Sequence, residues 1–391
     1  MINAKKIEPA ICCLGYNRPH SLERLLNSVG MAKYPSDNVT LIISIDECQE
    51  SNEVEIVAKN FQWEHGKKIV KRYENRLGVR NHTLLIGDLS FEYEAVIYLE
   101  DDIVVAPNFY LYTCAALEKY GENDNIFGIA LYNQHWIGSA QTFFNPAYVG
   151  GDAYLFGGDV SWGQCWISKQ WREFHEWYDI HKDGLTVYNP NVPKAIYMWD
   201  TATSWSKYIS FYLAEKEKYY VVPYCSLSTC FSDKGQHTGF ESDQCQVTLS
   251  QSQTDCFNFL NINDCAVYDS FFERRDCFIQ SIGGIDFKNI CMDLNGMKYD
   301  FSGYEAVLTT KVLDYEVICS FGINMDPIEI NVKYQVPGKV LKLYRLPKNN
   351  QINMFEAISV PTTSIDRLYH QLGKFRRKNI MTLFCKMMHR R

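Results

Sequence analysis

Short apolar runs alternate with amphipathic stretches over the first 120 residues of the chain. The apolar runs are rich in β-branched and aromatic residues, as buried strands are. Between them, apolar residues recur at the spacing of one helix face, and Ser21 is the expected N-cap of the first helix. The pattern predicts strands at 10–14, 40–45, 68–73 and 95–99, and helices at 21–29, 54–60 and 81–89.

Polar clusters follow these predicted strands. Strands separated by helices indicate a parallel sheet, whose ligands bind at the carboxyl ends of the strands. We therefore expect the clusters to share one edge of the sheet and to form one ligand site. The phosphate-binding sequences GxGxxG and GxxxxGK[ST] do not occur, which argues against a dinucleotide or P-loop site. The clusters are Asn17-Arg18, Asp46-Glu47, Asn75-Arg76 with Arg80, and Glu100-Asp101-Asp102.

Three consecutive acids, Glu100, Asp101 and Asp102, interrupt an apolar segment; we call them the acidic triplet. Three carboxylates at the end of a buried strand repel one another, which lowers stability unless a positive group lies beside them. A hard divalent cation that also binds phosphate oxygens would supply that charge. The triplet thus predicts a metal and ligand site, and the alternative is a solvated acidic turn.

The remaining segments differ in pattern. Residues 121–250 keep the mixed pattern and are rich in glycine and aromatic residues, so 1–250 is predicted to be one α/β domain with halves at 1–120 and 121–250. Residues 251–284 are predicted to be a connector and 285–372 a small β-rich α+β domain. Residues 373–391 are predicted to be a basic amphipathic tail.

Composition narrows the class of protein. The net charge of −7 argues against nucleic-acid binding, which needs a basic surface. No run reaches the roughly 18–20 apolar residues of a membrane span, and the start resembles no signal peptide. The 14 scattered cysteines are then expected to be reduced thiols, and the protein to be cytoplasmic.

The tail contains seven basic residues between 374 and 391 and no acid. This pattern predicts contact with an anionic membrane at the inner face of the cell, and a solvated tail is the alternative.

Several motifs resemble those of GT-A fold nucleotide-sugar glycosyltransferases. They are CLGYNRP at 13–19, ISID at 43–46, NRLGVRN at 75–81 and VIYLEDD at 96–102. Further motifs are similar to those of the N-acetylglucosaminyltransferase I family. These are IVVAPNFY at 103–110, VSWGQCWI at 160–167 with Trp171, WD at 199–200 and FSDKGQH at 231–237. The resemblance covers about residues 8–240.

The resemblance implies a Rossmann-like GT-A domain with a mixed, mostly parallel sheet, its donor-binding half at 1–120 and its acceptor half at 121–250. It implies an enzyme that moves a sugar, GlcNAc or a related hexose, from a UDP-sugar to a glycan or lipid-linked acceptor. Without a secretory anchor, bacterial capsule or O-antigen synthesis is favoured over a Golgi role. Two features depart from the family: Thr201 replaces a second acid after Trp-Asp, and residues 251–391 do not resemble the eukaryotic enzymes.

The resemblance also assigns roles within the donor site. It implies that Asp102 ligates Mn²⁺ or Mg²⁺ on the donor diphosphate, and that Glu100 and Asp101 hydrogen-bond the ribose and sugar or hold metal-bound waters. Asp46, at a strand end, is expected to accept the uracil N3–H. Arg18 or Arg80 is expected to bind phosphate, with a surface salt bridge as the alternative for each.

An inverting transfer needs a carboxylate that takes the proton of the acceptor hydroxyl. Asp200 is the first candidate and Asp159 the second; the alternative for Asp200 is a cap on a helix starting near Thr201. Trp162 is expected to stack on a sugar, or else to be core. His237 is a candidate diphosphate or metal contact, or else structural.

Two other functions stay open. A retaining transferase or a nucleotide-sugar pyrophosphorylase would use a related sheet, although the Gly-rich basic N-terminal signature of the latter is absent. A non-catalytic module that binds nucleotide-sugars or glycans is the alternative from a different class. Metal-dependent binding of UDP favours the enzyme over the module.

Overall fold

The computed structural model describes residues 7–185, 188–231, 233, 245–275 and 280–347. Within them the chain forms two compact units. The first comprises residues up to 135 and 146–275, and the second comprises 136–145 and 280–347. His237 and the predicted tail at 373–391 lie outside the described residues, and the domain boundaries given above stay a prediction.

Helices and strands are numbered in chain order. Up to residue 135 they are β1 (Ala10–Gly15), α1 (Pro19–Gly30), β2 (Leu41–Ile45), α2 (Ser51–Asn60), β3 (Lys68–Arg72), α3 (Val79–Gly87), α4 (Ser90–Tyr93), β4 (Ala95–Leu99), β5 (Ile103–Val105), α5 (Phe109–Tyr120) and β6 (Ile126–Ala130). Next come β7 (Trp136–Ile137), β8 (Thr142–Phe143), β9 (Ala153–Phe156), β10 (Gln164–Ile167), α6 (Ser168–His181), α7 (Lys194–Tyr197), α8 (Trp205–Lys216), β11 (Tyr219–Pro223), β12 (Ser228–Cys230) and β13 (Val267–Tyr268). The last are β14 (Ser281–Ile282), β15 (Ile285–Asp286), β16 (Ile290–Asp293), β17 (Ala306–Thr309), β18 (Val317–Phe321), α9 (Ile330–Lys333) and β19 (Leu341–Arg345).

A nine-stranded sheet forms the centre of the first unit, in the order β13-β9-β11-β6-β10-β4-β1-β2-β3. Five of its eight neighbouring pairs are parallel (β1 with β2 and β4, β2 with β3, β11 with β6, β13 with β9), and the other three are antiparallel. The predicted α/β fold with a mixed, mostly parallel sheet is therefore confirmed. The strand β13 comes from the predicted connector and forms one edge of this sheet.

The four strands and three helices predicted before residue 100 are present. The residues of β1, β2 and β4 are all buried, as their continuous apolar sequences require. The apolar face of α1, which includes Leu22 and Leu26, is buried against them. The predicted Ser21 cap is wrong: α1 begins at Pro19, and the Ser21 hydroxyl instead donates to Asp233 Oδ2 at 2.7 Å. Proline suits the first helical position, because its φ is fixed near the helical value and it has no N–H to satisfy.

The second unit contains a four-stranded sheet in the order β16-β17-β19-β18. These strands lie in the segment for which the sequence predicts a small β-rich domain, and one face of the sheet packs on its own apolar core. The 3₁₀ turns are at Ile262–Asp264 in the first unit and Phe287–Asn289 in the second. Across the described ranges, no helix combines the length and apolar character needed to cross a membrane.

Candidate functional site

A cleft opens at the carboxyl ends of β1, β2 and β4 in the first unit. Each of the four predicted polar clusters contributes to its lining, which includes Tyr16, Arg18, Asp46, Arg76, Glu100 and Asp101. Parallel strands explain this convergence, because their carboxyl ends lie on the same edge of the sheet. The clusters therefore share one edge of the sheet, as expected, and a ligand site at this edge stays a prediction.

Arg18 supplies the positive charge that the acidic triplet needs. Its Nε donates to Asp101 Oδ2 at 3.2 Å and its Nη2 to Asp101 Oδ1, which makes a two-pronged ion pair. Its Nη1 lies 3.4 Å from Asp102 Oδ2. Arg18 thus forms a largely buried ion pair within the site, which differs from the surface salt bridge given as its alternative, and phosphate binding by Arg18 stays a prediction.

One guanidinium does not neutralise three carboxylates. Burial raises the pKa of Glu100 to about 8, with the charge of Asp102 adding to the effect. Burial also raises the pKa of Asp101 to about 6, although the Arg18 charge opposes that rise. The pKa of Asp102 is raised as well, again mainly by burial. A further cation beside the triplet would favour the ionised carboxylates.

The donor atoms of Asp102 suit a divalent metal. Its Oδ1 is buried and accepts no hydrogen bond from the described residues, whereas its Oδ2 has only the long contact with Arg18. A bare carboxylate oxygen is the ligand type that Mn²⁺ and Mg²⁺ prefer. No group of three or more His, Cys, Asp or Glu side chains in the described ranges forms a metal cage. An ion here would thus need phosphate or water oxygens to complete its coordination.

Asp46 has a structural role that the sequence did not reveal. The residue is 3% exposed, and its carboxylate accepts hydrogen bonds from the backbone N–H groups of Glu47, Leu77 and Gly78 at 2.7–3.0 Å. These bonds hold the 75–78 loop against the end of β2. These three bonds use most of the acceptor capacity of the carboxylate. Recognition of a base by Asp46 stays a prediction.

Arg76 was named from the sequence only as a member of a polar cluster, and Tyr16 was given no role there. The Arg76 guanidinium lies 4.6 Å from the centre of the Tyr16 ring, and both residues line the cleft. Such a stack presents an aromatic ring and a positive charge on one wall. A usable signal existed, since Tyr16 lies between a predicted strand and the Asn17-Arg18 cluster, and Arg76 belongs to the cluster after the next but one strand. The nearby His82 is buried, which lowers its pKa to about 4, and it bonds Ser44 Oγ at 2.7 Å.

Arg80 is not among the residues that line the cleft, and phosphate binding by Arg80 stays a prediction. Its Nη1 donates to the Thr201 carbonyl at 2.6 Å, so the start of α3 holds the turn that contains Asp200. Asp200 is exposed and accepts from Ala202 N at 2.9 Å and Thr203 Oγ1 at 3.0 Å, which lowers its pKa. The helix-cap alternative for Asp200 is wrong, because α8 starts at Trp205 and Ser204 caps it.

Asp159 lies in the loop between β9 and β10. The Ser206 hydroxyl donates to its Oδ2, and its Oδ1 is buried without a hydrogen-bond partner among the described residues. Burial raises the pKa of Asp159 to about 7, although bonds from Ser206 and the Val160 backbone oppose the rise. Asp159 is thus shielded from solvent, whereas Asp200 faces it.

Asp159→Asn is expected to stabilise the protein at pH 8 by at least about 3 °C in the unfolding midpoint and to have little effect at pH 4. The folded-state pKa of about 7 lies above the unfolded value of about 3.9. Above pH 4 the unfolded chain releases a proton that the folded protein retains, so the carboxyl costs stability increasingly up to pH 7. Thermal unfolding at both pH values measures this. The exposed Asp200→Asn variant is the control, and equal shifts at both pH values would contradict the buried, protonated state.

Trp162 lies in the same loop as Asp159. It adopts a positive φ of 62°, its carbonyl accepts from Ser228 Oγ at 2.5 Å, and its ring meets the edge of Tyr132 at 4.8 Å. A left-handed tryptophan is uncommon and costs energy, which surrounding contacts must offset. Packing in the partly buried core is therefore present, and stacking on a sugar stays a prediction.

Comparison with known proteins gives no family. No family model matches the chain, and no curated protein matches it. Solved structures do match. S. aureus TarS 1–349 in complex with UDP-GlcNAc is 11% identical, with 59% of this chain and 60% of that chain covered and a TM-score of 0.40.

Two other structures are similar at the same level. The mannosyltransferase PcManGT from Pyrobaculum calidifontis, in complex with GDP-Man and Mn²⁺, is 10% identical, with 60% of this chain and 59% of that chain covered and a TM-score of 0.36. GalNAc-T7 with UDP, GalNAc and Mn²⁺ is 13% identical, with 58% and 44% covered and a TM-score of 0.40. The chain spans less than two thirds of the length of each of these three structures. Similarity this low does not assign a function.

Proposed function

We propose that the protein is a metal-dependent, inverting glycosyltransferase that moves a sugar, GlcNAc or a related hexose, from a UDP-sugar to a glycan or lipid-linked acceptor. The observation that carries the proposal is the cleft, where the Tyr16–Arg76 stack faces the same space as Glu100 and Asp101, the first two acids of the triplet. A nucleoside diphosphate needs an aromatic or apolar surface for its base and cations for its phosphates. The Tyr16 ring would supply the surface for the base. Arg76, Arg18 and an ion on Asp102 would supply the cations for the phosphates.

The metal would be held by Asp102, whose Oδ1 lacks a partner within the described residues. A bound Mn²⁺ or Mg²⁺ stabilises negative charge on a departing diphosphate. Arg18 is positioned to share that role, since its guanidinium already lies against Asp101 and Asp102. Removing the Asp102 carboxylate should therefore weaken metal-assisted donor binding.

Asp200 would act as the base of the transfer. As the acceptor oxygen forms its bond to the sugar C1, the C1–O bond to the diphosphate breaks and UDP leaves. The acceptor hydroxyl proton passes to an Asp200 carboxylate oxygen, which balances the reaction. The lowered pKa of Asp200 keeps it ionised at neutral pH, and Asp159 is the second candidate.

The acceptor and the cellular role extend the proposal. Bacterial surface polysaccharide synthesis, of capsule or O-antigen, is the setting that the sequence favours, in the cytoplasm at the inner face of the membrane. Membrane contact through 373–391 and a phosphate contact by His237 rest on the sequence alone, because both lie outside the described residues.

Titration calorimetry with UDP, in the presence and absence of Mn²⁺, tests the proposal. We expect UDP to bind with Mn²⁺ and to bind at least about tenfold more weakly without it. Incubation with a panel of nucleotide sugars should then show slow release of UDP from one of them. Metal-independent UDP binding without any turnover would favour the non-catalytic module, and no UDP binding at all would contradict both.

Arg76→Ala is expected to weaken UDP binding about tenfold, because it removes both a phosphate-binding charge and the stack on Tyr16. Calorimetry in the presence of Mn²⁺ measures the change. Arg172→Ala is a matched control, since Arg172 lies 4.8 Å from the Phe91 ring in a similar pair away from the cleft. Equal affinity of the Arg76→Ala variant and wild type would remove this wall from the donor site.

A further inference from the structure

The turn between α7 and α8 exposes two large apolar side chains next to Asp200. Met198 is 81% exposed and Trp199 is 40% exposed. Single exposed apolar residues are common on protein surfaces and need no explanation. What distinguishes this pair is the backbone that carries it, together with the carboxylate that follows it.

The buried ammonium group of Lys207 holds the backbone of this turn in place. Lys207, on the first turn of α8, is 6% exposed, and its Nζ donates to the carbonyls of Tyr197 at 2.9 Å and Trp199 at 2.7 Å. Burial lowers the pKa of Lys207. A buried ammonium is costly unless its hydrogen bonds are made, so the two carbonyls and Lys207 hold one another in place.

Three more bonds hold the remainder of the turn. Ala202 N donates to Asp200 Oδ1 at 2.9 Å, Ser204 N donates to the Asp200 carbonyl at 2.9 Å, and Arg80 Nη1 donates to the Thr201 carbonyl at 2.6 Å. The turn is therefore ordered by its own protein contacts before any ligand arrives. A preformed surface of this kind loses little entropy when it binds.

We propose that Trp199 is a stacking surface for a sugar ring of the acceptor and that Lys207 is the positioning residue that holds it beside Asp200. This rests on the proposed function, because Asp200 would act on that acceptor. The negative face of an indole ring suits the slightly positive C–H face of a sugar. Each Asp200 oxygen accepts one bond within the turn and retains capacity for a sugar hydroxyl.

The position of the turn agrees with an acceptor site. Arg80, which holds it, follows Val79 at the start of α3, and Val79 lines the donor cleft. The turn that carries Trp199 is thus joined by one arginine side chain to the helix that begins at the cleft. The Asp200 carboxylate beside the ring disfavours an anionic lipid surface as the occupant, because like charges repel.

Saturation-transfer NMR with octyl β-glucoside, octyl β-galactoside and octyl N-acetyl-β-glucosaminide tests this, with UDP and Mn²⁺ present. We expect wild type to bind at least one glycoside, and Trp199→Ala to bind it about tenfold more weakly. Trp199→Phe should retain most of the affinity. Ile180→Ala, which removes another exposed apolar side chain (79% exposed) on α6, should change nothing.

Lys207→Met tests the positioning role. It should weaken glycoside binding about as much as Trp199→Ala while UDP affinity, measured by calorimetry, is unchanged. Lys207→Arg, which keeps a buried donor, should restore part of the affinity. Circular dichroism checks that each variant folds, and should Lys207→Met unfold, Trp199→Ala against Trp199→Phe still decides the stacking role.

The outcomes separate the two proposals. Wild type that binds UDP but no glycoside, or equal glycoside binding by wild type and Trp199→Ala, would overturn the stacking surface and leave the transferase standing. Glycoside binding through Trp199 without UDP binding would overturn the transferase alone. Trp199-dependent binding to phosphatidylglycerol vesicles without glycoside binding would assign the turn to a membrane surface instead and overturn the sugar.

Discussion

Asp200→Asn is expected to slow sugar transfer by about 10²- to 10⁴-fold, the range that a general base contributes. The amide cannot take the acceptor proton. Its carbonyl oxygen can still accept from Ala202 N, so the turn should keep its shape. The effect should therefore appear in kcat and leave the affinity for UDP unchanged.

Initial rates of UDP release with the best donor and acceptor measure this, and calorimetry measures UDP affinity in parallel. Asp159→Asn is the matched comparison, because it makes the same change in the shielded carboxylate of the same unit. A normal rate for folded Asp200→Asn would exclude Asp200 as the base. A large loss in Asp159→Asn alone would transfer the role to the second candidate.

Asp102→Asn is expected to abolish the gain in UDP affinity that Mn²⁺ confers, a loss of about 100-fold. An amide oxygen is a neutral and weaker ligand than the carboxylate oxygen that has no partner in the described structure. Losing roughly 3 kcal/mol of metal-assisted binding corresponds to that factor. UDP binding in the absence of metal should be close to wild type.

Calorimetric titrations with and without Mn²⁺, on wild type and variant, give the metal-dependent difference directly. Asp101→Asn provides the contrast within the triplet, since Asp101 is paired with Arg18 and is expected to retain most of the metal response. Should Asp102→Asn respond to Mn²⁺ as wild type does, the metal is bound elsewhere. The test does not depend on knowing the acceptor.

Local pattern predicted the four strands and three of the four helices before residue 100, because each of these is specified by its own five to twelve side chains; the four-residue helix α4 was not predicted. The antiparallel insertion of β10 between β4 and β6 was not predictable in this way. Its four residues look like any buried strand, and their partners lie about 35 and 70 residues earlier. Pairing over such separations depends on the whole fold.

In the site, too, local sequence predicted some features, whereas others depend on residues that are distant in the chain. Its location followed from polar residues at strand ends, which is a sequence-local signal. The partners of those residues did not follow: Arg18 pairs with Asp101 across 83 positions, and Arg80 binds a backbone carbonyl at 201. The sequence contains no signal that shows which backbone carbonyl will accept a hydrogen bond from an arginine side chain. The three hydrogen bonds from backbone N–H groups to Asp46 could not be predicted either, because residue types do not identify which backbone groups will be the partners.

The segment 136–145, which interrupts the first unit and belongs to the second, limits how the chain can be shortened. It carries the β7–β8 hairpin, leaves the first unit and belongs to the second, where Ser139 Oγ lies 3.6 Å from Met297 Sδ. A fragment that stops at 275 keeps this hairpin but discards the strands of its unit. Ile137 and Phe144, which are buried in the full chain, then lose partners and become sites for aggregation or proteolysis. A minimal fragment of the first unit is best made by also replacing 136–145 with a short polar linker.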